Sequence, residues 1–367
     1  MWCRPVLTTS EGDRIKNGDI YPRSRPVPTD LTPPDPSGIL ELISAFRRTQ
    51  ILFTACELRL FDQLAEPKSA DQLAVELSLN GDALERLLGG CVMLGLLARD
   101  GERYVNTPAA NRYLTSASPD RMLGYIGYSN AMLWKLWDNL PDAIREGTHR
   151  WKQTYGTDSG SIFKEMYRTD ADRREFLLGM HGYGLLSSPV VVNAVDLSRY
   201  KMFVDLGGAT GHLTAAACRR WTNLKGVVFD LPEVLPLATE MLSQTDVKDR
   251  VSVVGGDFFA DPLPPGDVYA LGRILHDWAE PKIVKLLARI YESLPPGGMV
   301  FVAEKVLHDD KAGPEWAVLQ SLNMLLVTEG KERTLGEYAK LLEAAGFRDV
   351  TLRRTSAPLD VMTAVKG

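Results

Sequence analysis

The strongest constraint on the fold is an alternation that begins near Arg199. Five short apolar runs, at residues 202–206, 226–229, 251–254, 268–271 and 299–303, are separated by stretches of helical periodicity. A short apolar run bounded by turn residues reads as a strand buried on both faces. Strands alternating with helices predict a parallel, doubly wound sheet of Rossmann-like type in an α/β fold. One intervening helix starts at Pro281 and is expected to bury Ile283, Val284, Leu286, Leu287 and Ile290. Another opens on the capping box Thr334-Leu335-Gly336-Glu337 and stops at Gly346. The runs at 349–354 and 359–365 have no helix between them, which predicts an antiparallel hairpin on the sheet edge.

The remaining length must fold separately, because 367 residues exceed one domain of roughly 150. Residues 1–37 hold seven of the 22 prolines and no apolar period, which predicts a disordered arm. Residues 38–118 read as helix, helix, turn, helix and small ribbon. The signals are the capping box Ser69-Ala70-Asp71-Gln72, the turn Leu79-Asn80-Gly81, a helix over 82–95 and a strand over 103–106. That order predicts an all-helical winged-helix domain. Its second helix carries Asp82 and Glu85 against Arg86 and is otherwise apolar, so it suits dimerisation better than DNA. Residues 119–198 form a helical connector. In it Trp134 and Trp137 share a helix ending at Gly147, and a long helix covers 171–195. Residues 199–367 complete the chain as the sheet domain.

Composition narrows the function. The charges are 42 Lys+Arg against 47 Asp+Glu, a net −5. That field is wrong for nucleic acid or an anionic membrane. Cys3, Cys56, Cys91 and Cys218 are scattered, so neither a zinc site nor a disulfide scaffold is expected. With no membrane-length apolar run and no apolar leader, a cytoplasmic protein is expected.

The chemistry gathers at the expected strand ends. The first strand runs into Asp205-Leu206-Gly207-Gly208-Ala209-Thr210-Gly211, a glycine-rich turn before a helix, where a ligand can approach the backbone. Its spacing is not that of a dinucleotide fingerprint. Asp230 ends the next strand, where an acid can bond a ribose diol. Gly256, Asp257 and Phe258 follow the third, placing a carboxylate and a ring at the ligand edge. Arg273-Ile274-Leu275-His276-Asp277-Trp278 follows the fourth, with His276 where a general base belongs. Together these features indicate an adenosine-containing cofactor, without saying which.

Six ordered motifs then resemble one family. They are Asp-Leu-Gly-Gly-x-x-Gly, Phe-Asp-Leu-Pro-Glu-Val, Gly-Asp-Phe-Phe, Leu-His-Asp-Trp, Pro-Gly-Gly and Glu-Gly-Lys-Glu-Arg-Thr. The chain from about Gly38 onward is similar to the S-adenosylmethionine-dependent small-molecule O-methyltransferases that carry a dimerisation domain. Within them it is most similar to the acetylserotonin (hydroxyindole) O-methyltransferases and to the methyltransferase half of the acetylserotonin methyltransferase-like proteins. The resemblance implies a metal-independent homodimer. Tyr167, Gly207, Gly211, Asp230, Gly256, Asp257, Phe258 and Arg273 would bind the cofactor, and Asp277 and Asn323 the substrate. His276 would be the base, with Glu304 and Glu332 flanking and orienting it. The implied reaction is methyl transfer to a hydroxyl of a small aromatic molecule, such as N-acetylserotonin or another hydroxyindole. Three departures stand out: Ala209 for a common glycine, Val327 for a substrate-holding Gln, and no Trp around Tyr183-Gly184. S-adenosylmethionine binding without transfer and a winged-helix regulator are the open alternatives.

Overall fold

A computed structural model of the chain describes residues 34–156, 163, 164, 167 and 169–367. Most of the arm expected over residues 1–37 lies outside these. The chain divides into two compact units, Met1–Phe46 and Arg47–Gly367. Of the first, the described part is largely the start of helix α1 (Ser37–Glu57), whose Ile39, Leu40, Leu42, Ile43 and Phe46 are exposed.

In the second unit, α2 (Leu60–Gln63), α3 (Ala70–Leu77), α4 (Gly81–Met93) and α5 (Pro108–Tyr113) accompany three short strands. These are β1 (Lys68–Ser69), β2 (Leu97–Asp100) and β3 (Arg103–Asn106). The Ser69 capping box forms as expected: the Gln72 N–H donates to Ser69 Oγ at 3.2 Å, and the Ser69 N–H to Gln72 Oε1 at 2.9 Å. The strands pair antiparallel in the order β1-β3-β2, with β3 at the strand expected over 103–106, so the expected small ribbon forms beside the helices and the domain is helical rather than all-helical. Two-residue β1 is too short to show a period of two in the sequence.

Among the described residues, α6 (Leu123–Tyr128), α7 (Trp134–Trp137), α8 (Leu140–Glu146), α9 (Trp151–Tyr155) and α10 (Asp170–Asn193) follow. The single helix expected from Trp134 to Gly147 is instead two. Pro141 opens α8, and its ring would clash with the carbonyl of residue 137 in a continuous helix.

The large sheet takes β4 (Met202–Leu206), β5 (Lys225–Asp230), β6 (Val251–Gly255), β7 (Val268–Gly272), β8 (Met299–Glu304), β9 (Phe347–Arg353) and β10 (Asp360–Lys366). Its helices are α11 (His212–Arg220), α12 (Leu235–Ser243), α13 (Glu280–Ser293), α14 (Glu315–Val327) and α15 (Leu335–Ala344). The strand order is β6-β5-β4-β7-β8-β10-β9, parallel from β4 to β8. The C-terminal hairpin forms, with β10 antiparallel to β8 and β9 outermost. Strand residues alternate between two cores, which explains the uninterrupted apolar runs. Val204, Tyr269 and Val300 pack with Leu286 and Ile290; Phe203, Ala270 and Phe301 pack with Val191 and Leu213. Chain order reverses at β4, which has β5 on one side and β7 on the other; such a switch point opens a crevice for ligands. Among the described residues no helix is long and apolar enough to cross a membrane.

On α13 the buried stripe is Ile283, Leu286, Leu287 and Ile290, whereas Val284 is 42% exposed. Val284 was expected on that stripe, but it lies about 100° around the helix from Ile283. Ile290→Ala should therefore cost about 2–5 kcal/mol in denaturant unfolding and Val284→Ala under about 0.5 kcal/mol; equal costs would contradict this packing. Asp205, at the buried end of β4, accepts from Thr214 Oγ1 at 2.9 Å, and burial pushes its carboxyl up to about 7. The folded state then holds this proton more tightly than the unfolded one. The resulting stability is full below the ordinary carboxylate range and is lost as pH rises through about 7. Asp205→Asn should flatten the fall in Tm between about pH 4 and 7, and an unchanged slope would count against the assignment.

Candidate active site

The turn after β4 is held in left-handed conformations. Gly207 and Gly211 have φ of 69° and 76°, and Ala209, a residue that tolerates this region poorly, has φ of 49°. A Cβ at Gly207 would stand 2.5 Å from Ile274 Cδ1. Alanine in this region costs roughly 1–2 kcal/mol. Asp230 secures the turn. Its Oδ2 accepts from the Ala209 N–H at 2.7 Å and its Oδ1 from the Leu231 N–H at 2.7 Å. Burial still pushes the Asp230 carboxyl up to about 6.

After β6, Asp257 Oδ1 accepts from the Phe259 N–H at 2.7 Å. The Phe258 ring meets Phe259 edge-on at 4.8 Å, and Phe259 meets Trp278 edge-on at 5.0 Å. After β7, Arg273 takes φ of 61° and sets its guanidinium 4.3 Å from the centre of the Tyr183 ring. Its Nη1 is buried and has no partner among the described residues. Tyr167 packs between Phe163 and Phe176, at 6.0 and 5.9 Å.

These side chains share one cavity of about 360 Å³. Its wall contains Tyr167, Gly207, Asp230, Gly256, Asp257, Phe258, Arg273, His276, Asp277 and Asn323 from the sequence-based set. Gly211, Glu304 and Glu332 do not line it. The wall also has Leu133, Phe163, Met180 and Val327 as apolar members. Asn323 Oδ1 accepts from Trp137 Nε1 at 3.0 Å, and the Val327 carbonyl accepts from Trp151 Nε1 at 2.7 Å.

His276 sits on a short 3₁₀ turn (Leu275–Asp277), 3% exposed. Its Nδ1 lies 2.6 Å from Glu332 Oε1. Glu304 reaches the same residue from behind, accepting the His276 backbone N–H at 3.1 Å through Oε1 and the Tyr338 hydroxyl through Oε2. Glu332 therefore addresses the ring and Glu304 the backbone. Burial pushes the Glu332 carboxyl up to about 8, against the opposing guanidinium groups of Arg273 and Arg333. Burial also pushes Asp277 up to about 7. Asp277 Oδ1 stands 3.7 Å from His276 Nε2, too far for a hydrogen bond. Gly330 closes on this turn: a Cβ there would lie 2.1 Å from the His276 carbonyl oxygen. His276, Glu304 and Glu332 offer ligand atoms within 4.8 Å of one another, a spacing a cation could bridge. However, Nδ1 is committed to Glu332, and both Glu304 oxygens accept protein hydrogen bonds.

Sequence reasoning missed three supporting residues. Tyr338 and Trp137 act on Glu304 and Asn323 from helices far away in sequence, and no local pattern marks them. Tyr183 supplies an aromatic ring under Arg273 where only a missing Trp had been noted.

Residues 137–348 match the O-methyltransferase domain and residues 40–116 the O-methyltransferase dimerisation domain. The chain is 38% identical to chicken acetylserotonin O-methyltransferase, across 90% of this chain and 97% of that one. It is 39% identical to a human probable bifunctional dTTP/UTP pyrophosphatase/methyltransferase protein, across 92% of this chain and 55% of that protein's length. The crystal structure of human N-acetylserotonin methyltransferase in complex with S-adenosylmethionine superposes with a TM-score of 0.87 at 36% identity, covering 92% of this chain and 99% of that one. The chain belongs to the S-adenosylmethionine-dependent O-methyltransferase family with an N-terminal dimerisation domain.

Proposed function

We propose that this protein transfers the methyl group of S-adenosylmethionine to the hydroxyl of a small aromatic molecule, a hydroxyindole by similarity to its relatives. The observation that carries this reading is His276 on the cavity wall with its far ring nitrogen 2.6 Å from buried Glu332. The cavity suits the cofactor. Left-handed Gly207 leaves backbone open to a ligand, Asp230 keeps acceptor capacity for a diol, and Arg273 offers an unpartnered buried donor. Tyr167, Gly256, Asp257 and Phe258 would hold its remaining parts, and Gly211 shapes the turn. Bound there, S-adenosylmethionine supplies an electrophilic methyl group on a sulfonium centre.

The chain's own residues handle the proton. A phenol, with pKa near 10, is a weak nucleophile at neutral pH. A proton held on Nδ1 by Glu332 leaves Nε2 free to accept the substrate's hydroxyl proton as transfer proceeds. Glu332 then stabilises the imidazolium. Glu304 and Tyr338 hold the backbone of the base, while Asp277 and Asn323 contact the substrate. A homodimer fits the exposed Ile39, Leu40, Leu42, Ile43 and Phe46 of α1. The free thiols Cys56, Cys91 and Cys218 suit a cytoplasmic setting.

His276→Ala should lower kcat by about 10²–10⁴ in a labelled S-adenosylmethionine assay over a panel of phenols while cofactor affinity holds; unchanged turnover would remove the base assignment. The His276–Glu332 pair works with one proton between its members, so a second proton disables it. Since burial raises the Glu332 carboxyl to about 8, kcat should climb with pH towards that value, and Glu332→Gln should be slow and lack this limb. Gly330→Ala should lower both Tm and kcat, at a cost of about 1–3 kcal/mol or more, because its Cβ would meet backbone. Gly336→Ala, whose nearest neighbour would be 3.9 Å away, should be benign; equal effects would refute this packing.

A further inference from the structure

Helix α10 meets the glycine-rich turn through residues 181, 184 and 188, which are spaced by three and four and so share one face. His181 Nδ1 lies 2.8 Å from Thr210 Oγ1, and Ser188 Oγ lies 2.8 Å from His212 Nδ1. Between them stands Gly184. A Cβ there would fall 2.4 Å from atoms of the His212 ring, so the imidazole occupies the room that the glycine leaves. His212 opens α11 directly after Gly211 and lines the cavity with Gly184, Ser188 and Gly207.

Ser188 is 2% exposed, and among the described residues His212 Nδ1 is the acceptor its hydroxyl reaches. A buried hydroxyl proton needs an acceptor, so it points at Nδ1 and the ring proton belongs on Nε2. Burial, with His181 and the Arg273 guanidinium adding to it, pushes His212 down to about 3, so the ring is neutral. Its Nε2 takes no partner among the described residues and is not sealed in protein, which leaves a neutral N–H open to the cavity. Arg273 Nη1 is a second unpartnered donor on the same wall.

The sheet orders the ligand. Asp257 and Phe258 follow β6, Asp230 ends β5, Gly207 follows β4 and Arg273 follows β7, and these strands lie in the order β6-β5-β4-β7. A cofactor with its base at Phe258 and its ribose at Asp230 therefore runs its tail past Gly207 towards His212 and Arg273. We propose that His212 recognises the carboxylate at the amino-acid end of the cofactor, donating through Nε2 alongside Arg273, with Gly184 and Ser188 as the positioning residues that seat its ring. The ligand rests on the methyl-transfer reading above.

The test titrates the full chain by calorimetry with S-adenosylhomocysteine and with its decarboxylated form, which lacks only that carboxylate. The wild type should prefer the carboxylate, and His212→Ala should reduce the preference about tenfold or more, the scale of a hydrogen bond to a charged group. Ser188→Ala should erode it too and should have no further effect in the His212→Ala background, a coupling that general loosening of α10 would not give. Gly184→Ala should lower Tm in the wild type and cost far less Tm when His212 is replaced by alanine, because the ring it strikes is gone. Should His212→Ala fail to fold, Ser188→Ala still reports whether the seated ring carries the preference. A wild type without preference, a preference intact in His212→Ala or in Ser188→Ala, or an equal Tm cost of Gly184→Ala in both backgrounds overturns the proposal. Product formation from labelled S-adenosylmethionine and 5-hydroxyindole is read separately. Its absence, with a carboxylate preference that depends on His212, would defeat the methyl-transfer reading and leave the role of His212 standing.

Discussion

The site depends on one buried contact, the 2.6 Å approach of His276 Nδ1 to Glu332 Oε1. An unsupported imidazole in a cavity could carry its proton on either nitrogen and rotate freely. Glu332 fixes both properties, and it does so from a position 2% exposed where water cannot compete. Everything behind it serves rigidity. Glu304 ties down the backbone of the base, Tyr338 ties down Glu304, and Arg333 donates to the Leu275 and Trp278 carbonyls at 3.3 Å each. Gly330 lets the loop bearing Glu332 approach the His276 carbonyl. Preorganised groups of this kind need no rearrangement as charge develops.

The same economy governs the other end of the cavity. The turn after β4 places a non-glycine residue at positive φ, a local cost that the Asp230 carboxylate offsets by accepting the Ala209 N–H. Asp230 thus belongs both to the fold and to the ligand edge of the sheet. Arg273 is a parallel case. Its backbone is left-handed, its cation rests on Tyr183, and one of its nitrogens is left for something the cavity receives.

Much of this was legible in the sequence, for physical reasons. Strands buried on both faces must be apolar throughout, so the five parallel strands stood out as runs. Capping boxes at Ser69 and Thr334 marked helix starts through side-chain chemistry local to four residues. Residues at strand ends, such as Asp230 and His276, are placed by the sheet itself, and the cavity collects them. What was not legible depends on contacts between distant segments. Tyr338 meets Glu304 across 34 positions, and Trp137 meets Asn323 across 186. Val284 shows a smaller failure: a run of apolar residues on a helix does not say where the buried stripe ends. Glu304 and Glu332 were both expected to flank and orient His276; that Glu332 meets the ring and Glu304 the backbone depends on how distant segments pack. The helix break before α8 was readable in principle from Pro141.

The most direct measurement is the proton position on His276. Nitrogen NMR of histidine-labelled protein, assigned by loss of one signal in His276→Ala, separates the two neutral tautomers. Above about pH 8, where the Glu332 carboxyl is ionised and can accept, the imidazole N–H should sit on Nδ1, with Nε2 bare. A His276 signal protonated at Nε2 and bare at Nδ1 under the same conditions would contradict its role as the base.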